Sequence, residues 1–93
     1  MGPDVRGMSD EDILADCRAR SGTVYHPVST CRMGASAETA VLDSECRVFG
    51  TTGLRVIDAS SFPNITSGNT NAPTMMLAHR AADLILAQGS TRA

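Results

Sequence analysis

The sequence predicts an α+β chain in which two helices flank a segment of short strands. Its 93 residues allow at most one small domain. Residues 9–22 combine a capping signal with acidic and then apolar positions, which predicts a first helix. Residues 46–49 and 54–58 are rich in β-favouring side chains and predict a hairpin. Residues 73–88 are almost wholly apolar and predict a second helix, buried on most of its faces.

Capping chemistry fixes where the first helix begins. Ser9 suits the N-cap, and the acidic residues 10–12 that follow favour the positive end of a helix. Ser9 and Asp12 have capping-box spacing, with Asp in place of the usual Glu or Gln. Gly22 is expected to end the helix. Residues 1–8, which come before it, are predicted to be a disordered lead or a cloning remnant.

Glycine and small polar residues separate the remaining elements. Residues 50–53 form the predicted hairpin turn, and residues 41–42 offer one further short strand. Residues 59–71 are rich in Ser, Thr, Asn and Gly, and they predict a long loop of the kind that is often functional. Pro73 suits the first position of the second helix and Gly89 its stop, which leaves residues 90–93 as a tail.

The second helix has too little apolar material around it in this chain. Only 3% of the residues are aromatic, so few large side chains are present to cover it. We therefore expect the helix to be covered by the rest of a larger protein, by a second copy of the chain, or by a partner chain.

Charge and cysteine content exclude several classes of function. The net charge of −2 and the lack of a basic patch argue against nucleic acid or an anionic membrane as a partner. Cys17, Cys31 and Cys46 are widely spaced and form no CxxC motif. They predict free thiols and a cytoplasmic location, with a metal or thiol module as a weaker alternative.

Three polar side chains stand out as candidates for chemistry. His26 precedes Pro27 in a non-helical segment and can serve as a general base, or simply as a hydrogen-bonding or surface residue. Asn71 lies at the mouth of the second helix, where free N–H groups and a partial positive charge suit an anion or an electron-rich ring. Ordinary capping is the alternative. Asp58 ends an apolar run and can bind a ligand hydroxyl or organise its own loop.

Three blocks, residues 25–34, 54–60 and 67–74, read YHPVSTCRMG, LRVIDAS and SGNTNAPT. In this order and at this spacing they resemble the C-terminal end of the glucose-methanol-choline (GMC) oxidoreductases. The resemblance is closer to choline and alcohol dehydrogenases than to glucose oxidase, and it covers residues 9–89.

The resemblance implies a flavin-dependent oxidation of a small alcohol, with hydride passing to FAD. It implies that His26 accepts the hydroxyl proton and that Asn71 hydrogen-bonds the substrate oxygen. It also implies that Asp58 and Ala59 lie along the nucleotide part of the flavin cofactor. The residues near the flavin ring would be Ala72, Pro73 and Thr74.

Two departures from the family pattern qualify this expectation. Ser29 stands where glycine is common in the family, and the chain has no GxGxxG motif for a dinucleotide. We therefore expect the chain to form part of the FAD-binding and substrate domains of a larger fold. Alone, it should neither hold FAD tightly nor oxidise alcohols. The alternative is a non-catalytic module that self-associates or assembles with a partner chain.

Overall fold

The computed structural model describes residues 4–90, in which two α-helices are joined by a long and mostly irregular segment. Helix α1 spans Asp10–Arg20, a short 3-10 helix spans Ala59–Ser61, and helix α2 spans Asn71–Ser90. The radius of gyration is 19.1 Å, and the chain extends over 68 × 29 × 17 Å. A compact domain of this length would have a radius of gyration of about 12 Å. The segment is therefore elongated, with a small core.

Helix α1 begins where the capping signal predicts. The Ser9 hydroxyl accepts a hydrogen bond from the Asp12 N–H at 3.2 Å. The helix ends at Arg20, slightly before the predicted Gly22 stop, and the Ser21 N–H donates to the Cys17 carbonyl at 2.9 Å. None of its residues is buried, so the stabilising features that the structure shows for this helix are local ones, its cap and its acidic first turn.

Isolated bridges take the place of the predicted strands, so the strand part of the α+β prediction is not confirmed. Arg47 pairs antiparallel with Arg55, so the chain does reverse direction across residues 50–53. The Val48 N–H donates to the Leu54 carbonyl at 3.0 Å, and the pairing stops soon afterwards. Leu42 bridges Val48, yet no regular strand forms anywhere in residues 4–90.

A left-handed residue explains why the hairpin stays short. Cys46 has φ 61°, which breaks the extended backbone at the start of the first predicted strand. The preceding turn is held by Asp43, whose carboxylate accepts the N–H groups of Glu45 at 2.8 Å and Arg47 at 3.0 Å. A pair this short, joined on its other side by a single bridge from Val48 to Leu42 and supported by few large side chains, is too weak to extend into a sheet.

The core is formed by a few small or medium side chains. Leu42, Cys46 and Ala81 are buried, together with Ser61. The Ser61 hydroxyl donates to the Val56 carbonyl at 2.8 Å, which satisfies its polar group inside the core. Through Ala81, helix α2 contributes to this core.

Helix α2 is longer than the sequence predicts, by two residues at each end. It runs through Gly89, which was expected to stop it, and it includes Ser90, which was assigned to the tail. Most of its apolar side chains, including Met75, Met76 and Leu86, are exposed in this chain. The predicted burial of α2 is therefore not achieved by the residues described, and cover from outside stays a prediction.

The predicted loop 59–71 is wrong at both ends. Its first three residues form the 3-10 helix, and Asn71 is the first residue of α2. Of the predicted lead, residues 1–3 lie outside the described range, while Asp4 and Arg6 form an exposed ion pair at 2.8 Å. Residues 91–93 of the predicted tail also lie outside it.

Candidate functional site

The segment that carries His26 is held against the 3-10 helix by backbone hydrogen bonds. The Cys31 N–H donates to the Ser60 carbonyl at 3.0 Å, and the Met33 N–H donates to the Ser61 carbonyl at the same distance. Two blocks that are about 30 residues apart in the sequence therefore lie side by side. They are the block around His26 and the block that begins at Asp58.

The backbone around His26 has two residues in the left-handed region. Tyr25 has φ 66° and Ser29 has φ 73°. Such angles cost a non-glycine residue about 1–2 kcal/mol. The angle at Ser29 is a physical reason why glycine suits this position. His26 itself is half-buried between these two turns.

His26 is joined to the start of helix α2 by a side-chain hydrogen bond. Its Nδ1 lies 2.8 Å from the Oγ1 of Thr70, across 44 residues of sequence. Thr70 is buried, and its carbonyl accepts the Thr74 N–H at 3.0 Å, so Thr70 is the N-cap of α2. The structure thus brings together the predicted base and the mouth of the second helix.

Thr70 is not among the residues predicted from the sequence, and the two asparagines beside it are the more conspicuous polar side chains. The available signal was a threonine just before an apolar helix, which is a common N-cap pattern. Nothing local could have shown that its hydroxyl faces an imidazole 44 residues away.

The other predicted residues of this helix lie in its first turn. Asn71 and Ala72 are exposed, whereas Pro73 and Thr74 are half-buried. The first intrahelical bond is made by the Thr74 N–H, and Pro73 has no N–H to offer. The N–H groups of Asn71 and Ala72 therefore have no partner within the helix, and they point from its positive end.

Asp58 has a structural role within its own turn. Its Oδ1 accepts the Ser60 N–H at 2.8 Å and also the Ser60 hydroxyl. The Asp58 N–H lies 3.4 Å from the Ser61 Oγ, which completes a capping box for the 3-10 helix. The carboxylate is exposed, and the neighbouring Ala59 is half-buried. Contact of either residue with a nucleotide stays a prediction.

A cleft of about 880 Å³ lies away from His26, between the 50–53 turn and the end of α2. Arg47 and Arg55 line it. Arg47 is paired with Asp43 at 2.7 Å, and Arg55 donates to the Gln88 side-chain oxygen at 2.7 Å. Both cations are therefore engaged within the chain.

The cysteines are separate from one another. Cys17 is exposed, Cys31 is half-buried and Cys46 is buried, and all three are free thiols. Burial raises the pKa of the Cys46 thiol, so its reactive thiolate is disfavoured.

Within residues 4–90, no three of the His, Cys, Asp and Glu side chains are grouped to hold a metal ion. Neither helix in that range has the length and apolar character to span a bilayer.

Known proteins are similar to this chain in sequence. A sequence model of the GMC oxidoreductase family matches residues 1–78. The chain belongs to the GMC oxidoreductase family. It is 51% identical to an alcohol dehydrogenase [acceptor] of Pseudomonas putida over 78 residues, which are 84% of this chain and 14% of that protein.

Choline dehydrogenases are equally similar to this GMC chain. The mitochondrial choline dehydrogenase of Homo sapiens is 51% identical over 81 residues, which cover 86% of the chain and 14% of that protein. The oxygen-dependent choline dehydrogenase of Vibrio vulnificus (strain YJ016) is 51% identical over 85 residues, 90% of the chain and 15% of that protein. The chain thus spans about one seventh of the length of these relatives.

Proposed function

We propose that this segment supplies the proton-accepting side of an alcohol-oxidising site in a larger FAD-dependent enzyme. The observation that carries the proposal is the contact between His26 and Thr70, which holds a titratable ring at the mouth of helix α2. The relatives support the substrate class, since their names are those of alcohol and choline dehydrogenases.

His26 is the proposed general base. An imidazole titrates near neutral pH, so it can take the hydroxyl proton as the C–H bond breaks. Asn71 is the proposed partner, because its carboxamide can donate a hydrogen bond to the substrate oxygen as negative charge develops. Asn71 follows Thr70 directly, and Thr70 contacts His26. The proposed base and its proposed partner are therefore linked through a single residue, Thr70.

The residues present fit one part of a flavin site. The free N–H groups of Asn71 and Ala72 and the positive end of α2 suit an electron-rich ring, which Pro73 and Thr74 would flank. Asp58 and Ala59 would lie along the nucleotide. The chemistry that bound FAD would supply is that of a hydride acceptor. With no GxGxxG motif, this chain has few groups to hold the phosphates, and we expect it not to retain FAD alone.

The test uses a flavin-loaded, full-length enzyme that carries this segment. The enzyme is obtained from an extended reading frame or as a chimera with the Pseudomonas putida relative. His26→Ala should slow anaerobic flavin reduction by alcohol about 10²–10⁴-fold, as expected for loss of a general base. Asn71→Ala should slow it as well, with both variants keeping their flavin. Flavin loss in proportion to rate loss would make both residues structural.

Asn69 provides the matched control for Asn71. It is a second exposed carboxamide, two residues earlier, in the loop that precedes α2. Asn69→Ala should leave the rate of flavin reduction close to the parent value. A larger loss at Asn69 than at Asn71 would contradict the assignment of the substrate-oxygen partner.

A second candidate function rests on the exposed apolar side chains of α2. Met75, Met76 and Leu86 are more than 60% exposed, and several exposed apolar side chains on one helix can mark a protein–protein contact. A module that self-associates or assembles with a partner chain would cover them. Light scattering of the isolated chain distinguishes the candidates, because a stable monomer removes the reason to invoke self-association.

A further inference from the structure

We propose that Thr70 is a positioning residue for His26, holding the imidazole so that Nε2 is the atom that takes the substrate proton. The inference rests on the proposed function, in which His26 is the base. It adds Thr70 to that site and names Nε2 as the proton-accepting atom of His26. The observation is the 2.8 Å distance between the His26 Nδ1 and the Thr70 Oγ1.

The anchor on the threonine side is rigid. Thr70 is 9% exposed, and its backbone carbonyl is fixed by the Thr74 N–H at 3.0 Å. A β-branched side chain has few χ1 rotamers, so a fixed backbone also fixes the direction of its hydroxyl. His26 is therefore held by the end of a helix rather than by a flexible loop partner.

The sequence of the first helical turn leaves this hydroxyl available. An N-cap threonine usually accepts a hydrogen bond from the N–H two or three residues ahead. The third residue ahead of Thr70 is Pro73, which has no N–H. Pro73 therefore offers Thr70 no capping bond, and the hydroxyl lies against the imidazole.

A hydroxyl partner suits both protonation states of the ring. In the neutral state, an Nδ1–H that donates to Thr70 leaves the Nε2 lone pair free. When the substrate O–H bond breaks, its electron pair stays on oxygen and the proton forms an N–H bond at Nε2. The imidazolium keeps its Nδ1–H bond to Thr70, because both ring nitrogens are then donors. No rotation of the ring is needed.

The decisive variants are Thr70→Val and Thr70→Ser in the flavin-loaded full-length enzyme. Valine keeps the shape and removes the hydroxyl, and we expect flavin reduction to slow about tenfold, the effect of one lost hydrogen bond. KM and flavin content should change less than about twofold. Serine restores the hydroxyl and should recover the rate to within about threefold of the parent. An unchanged rate in Thr70→Val would overturn the proposal.

Thr66 is the matched control, because it is a threonine of the same loop that does not contact His26. Its hydroxyl donates to the Gly68 carbonyl at 2.8 Å. Thr66→Val should leave flavin reduction unchanged. A loss equal to that of Thr70→Val would assign the effect to loop integrity and would refute a positioning role.

A double mutant separates this inference from the proposed function. If His26 is the base, Thr70→Val should slow the parent enzyme but add little to His26→Ala. A normal rate in His26→Ala would remove the proposed function itself. A slow His26→Ala variant with a further tenfold loss on adding Thr70→Val would keep the function and reject the positioning role.

Discussion

Replacing Gly34 by alanine should destabilise the middle of the chain, because a new Cβ would meet the Ala40 Cβ at 2.7 Å. Gly34 joins the His26 block to the core, since its N–H donates to the carbonyl of the buried Leu42 at 2.8 Å. The clash therefore acts on the segment that carries the proposed base.

The geometry sets the size of the effect. Carbon atoms in contact prefer about 3.5–4.0 Å, so one side must move by roughly 1 Å. Neither side moves freely, because the Gly34 N–H is bonded to Leu42 and the Ala40 N–H to the Ser36 carbonyl at 3.0 Å. Overpacking of this kind costs about 1–3 kcal/mol, and we expect about 2 kcal/mol here.

Amide hydrogen exchange, followed by NMR, measures this local opening free energy. The Met33 N–H, bonded to Ser61, should exchange about thirtyfold faster in Gly34→Ala, which corresponds to about 2 kcal/mol. Gly22→Ala is the control, since a Cβ at Gly22 meets nothing within 4 Å. It should leave the exchange of Met33 unchanged.

A second substitution tests the cause. Ala40→Gly removes the atom that the new Cβ would meet, so the double variant Gly34→Ala/Ala40→Gly should regain about 1 kcal/mol or more. Exchange at Met33 that is unchanged in the single variant, or equally fast in the double variant, would show that close approach does not explain glycine at this position.

Three further predictions concern single residues. Ser29→Gly should stabilise the segment by about 0.5–1 kcal/mol in urea unfolding, as relief of the φ 73° angle exceeds the entropy cost of glycine; a loss would refute this. Burial raises the pKa of Asp43, but hydrogen bonds led by those of Arg47 outweigh it and lower the pKa overall. The contribution of Asp43 to folding stability is therefore complete above about pH 4, and it is lost as the pH falls through the lower pKa of the folded state. In Asp43→Asn, the free energy of unfolding should therefore depend less on pH in the acid range. Cys46 should react with a thiol reagent far more slowly than the exposed Cys17, and equal rates would contradict its burial.

The helices were predictable because their signals are local. The Ser9 cap operates within three residues, and the apolar run of α2 needs no knowledge of the rest of the chain. For the hairpin, the sequence correctly predicted only that the chain reverses direction across residues 50–53. Its strands fail to form because Cys46 turns left-handed beside the Asp43 turn, a choice that β propensity does not contain.

The proposed site divides in the same way. His26, Asp58 and Asn71 were each nominated from residue type and neighbours, and the order of the three blocks was enough to indicate the GMC family, which the comparisons confirm. The pairing of His26 with Thr70 was not predictable.

The helices, the candidate side chains and the family could be predicted from the sequence. Caps and periodicity act within a few residues, and the order of the three motifs can be read along the chain without knowing how it folds. Only the tertiary structure decided that the Thr70 hydroxyl faces the His26 ring and that the Asp58 carboxylate is bonded within its own turn. Such contacts depend on the path of the chain, which long-range bonds such as Cys31 N–H to the Ser60 carbonyl determine.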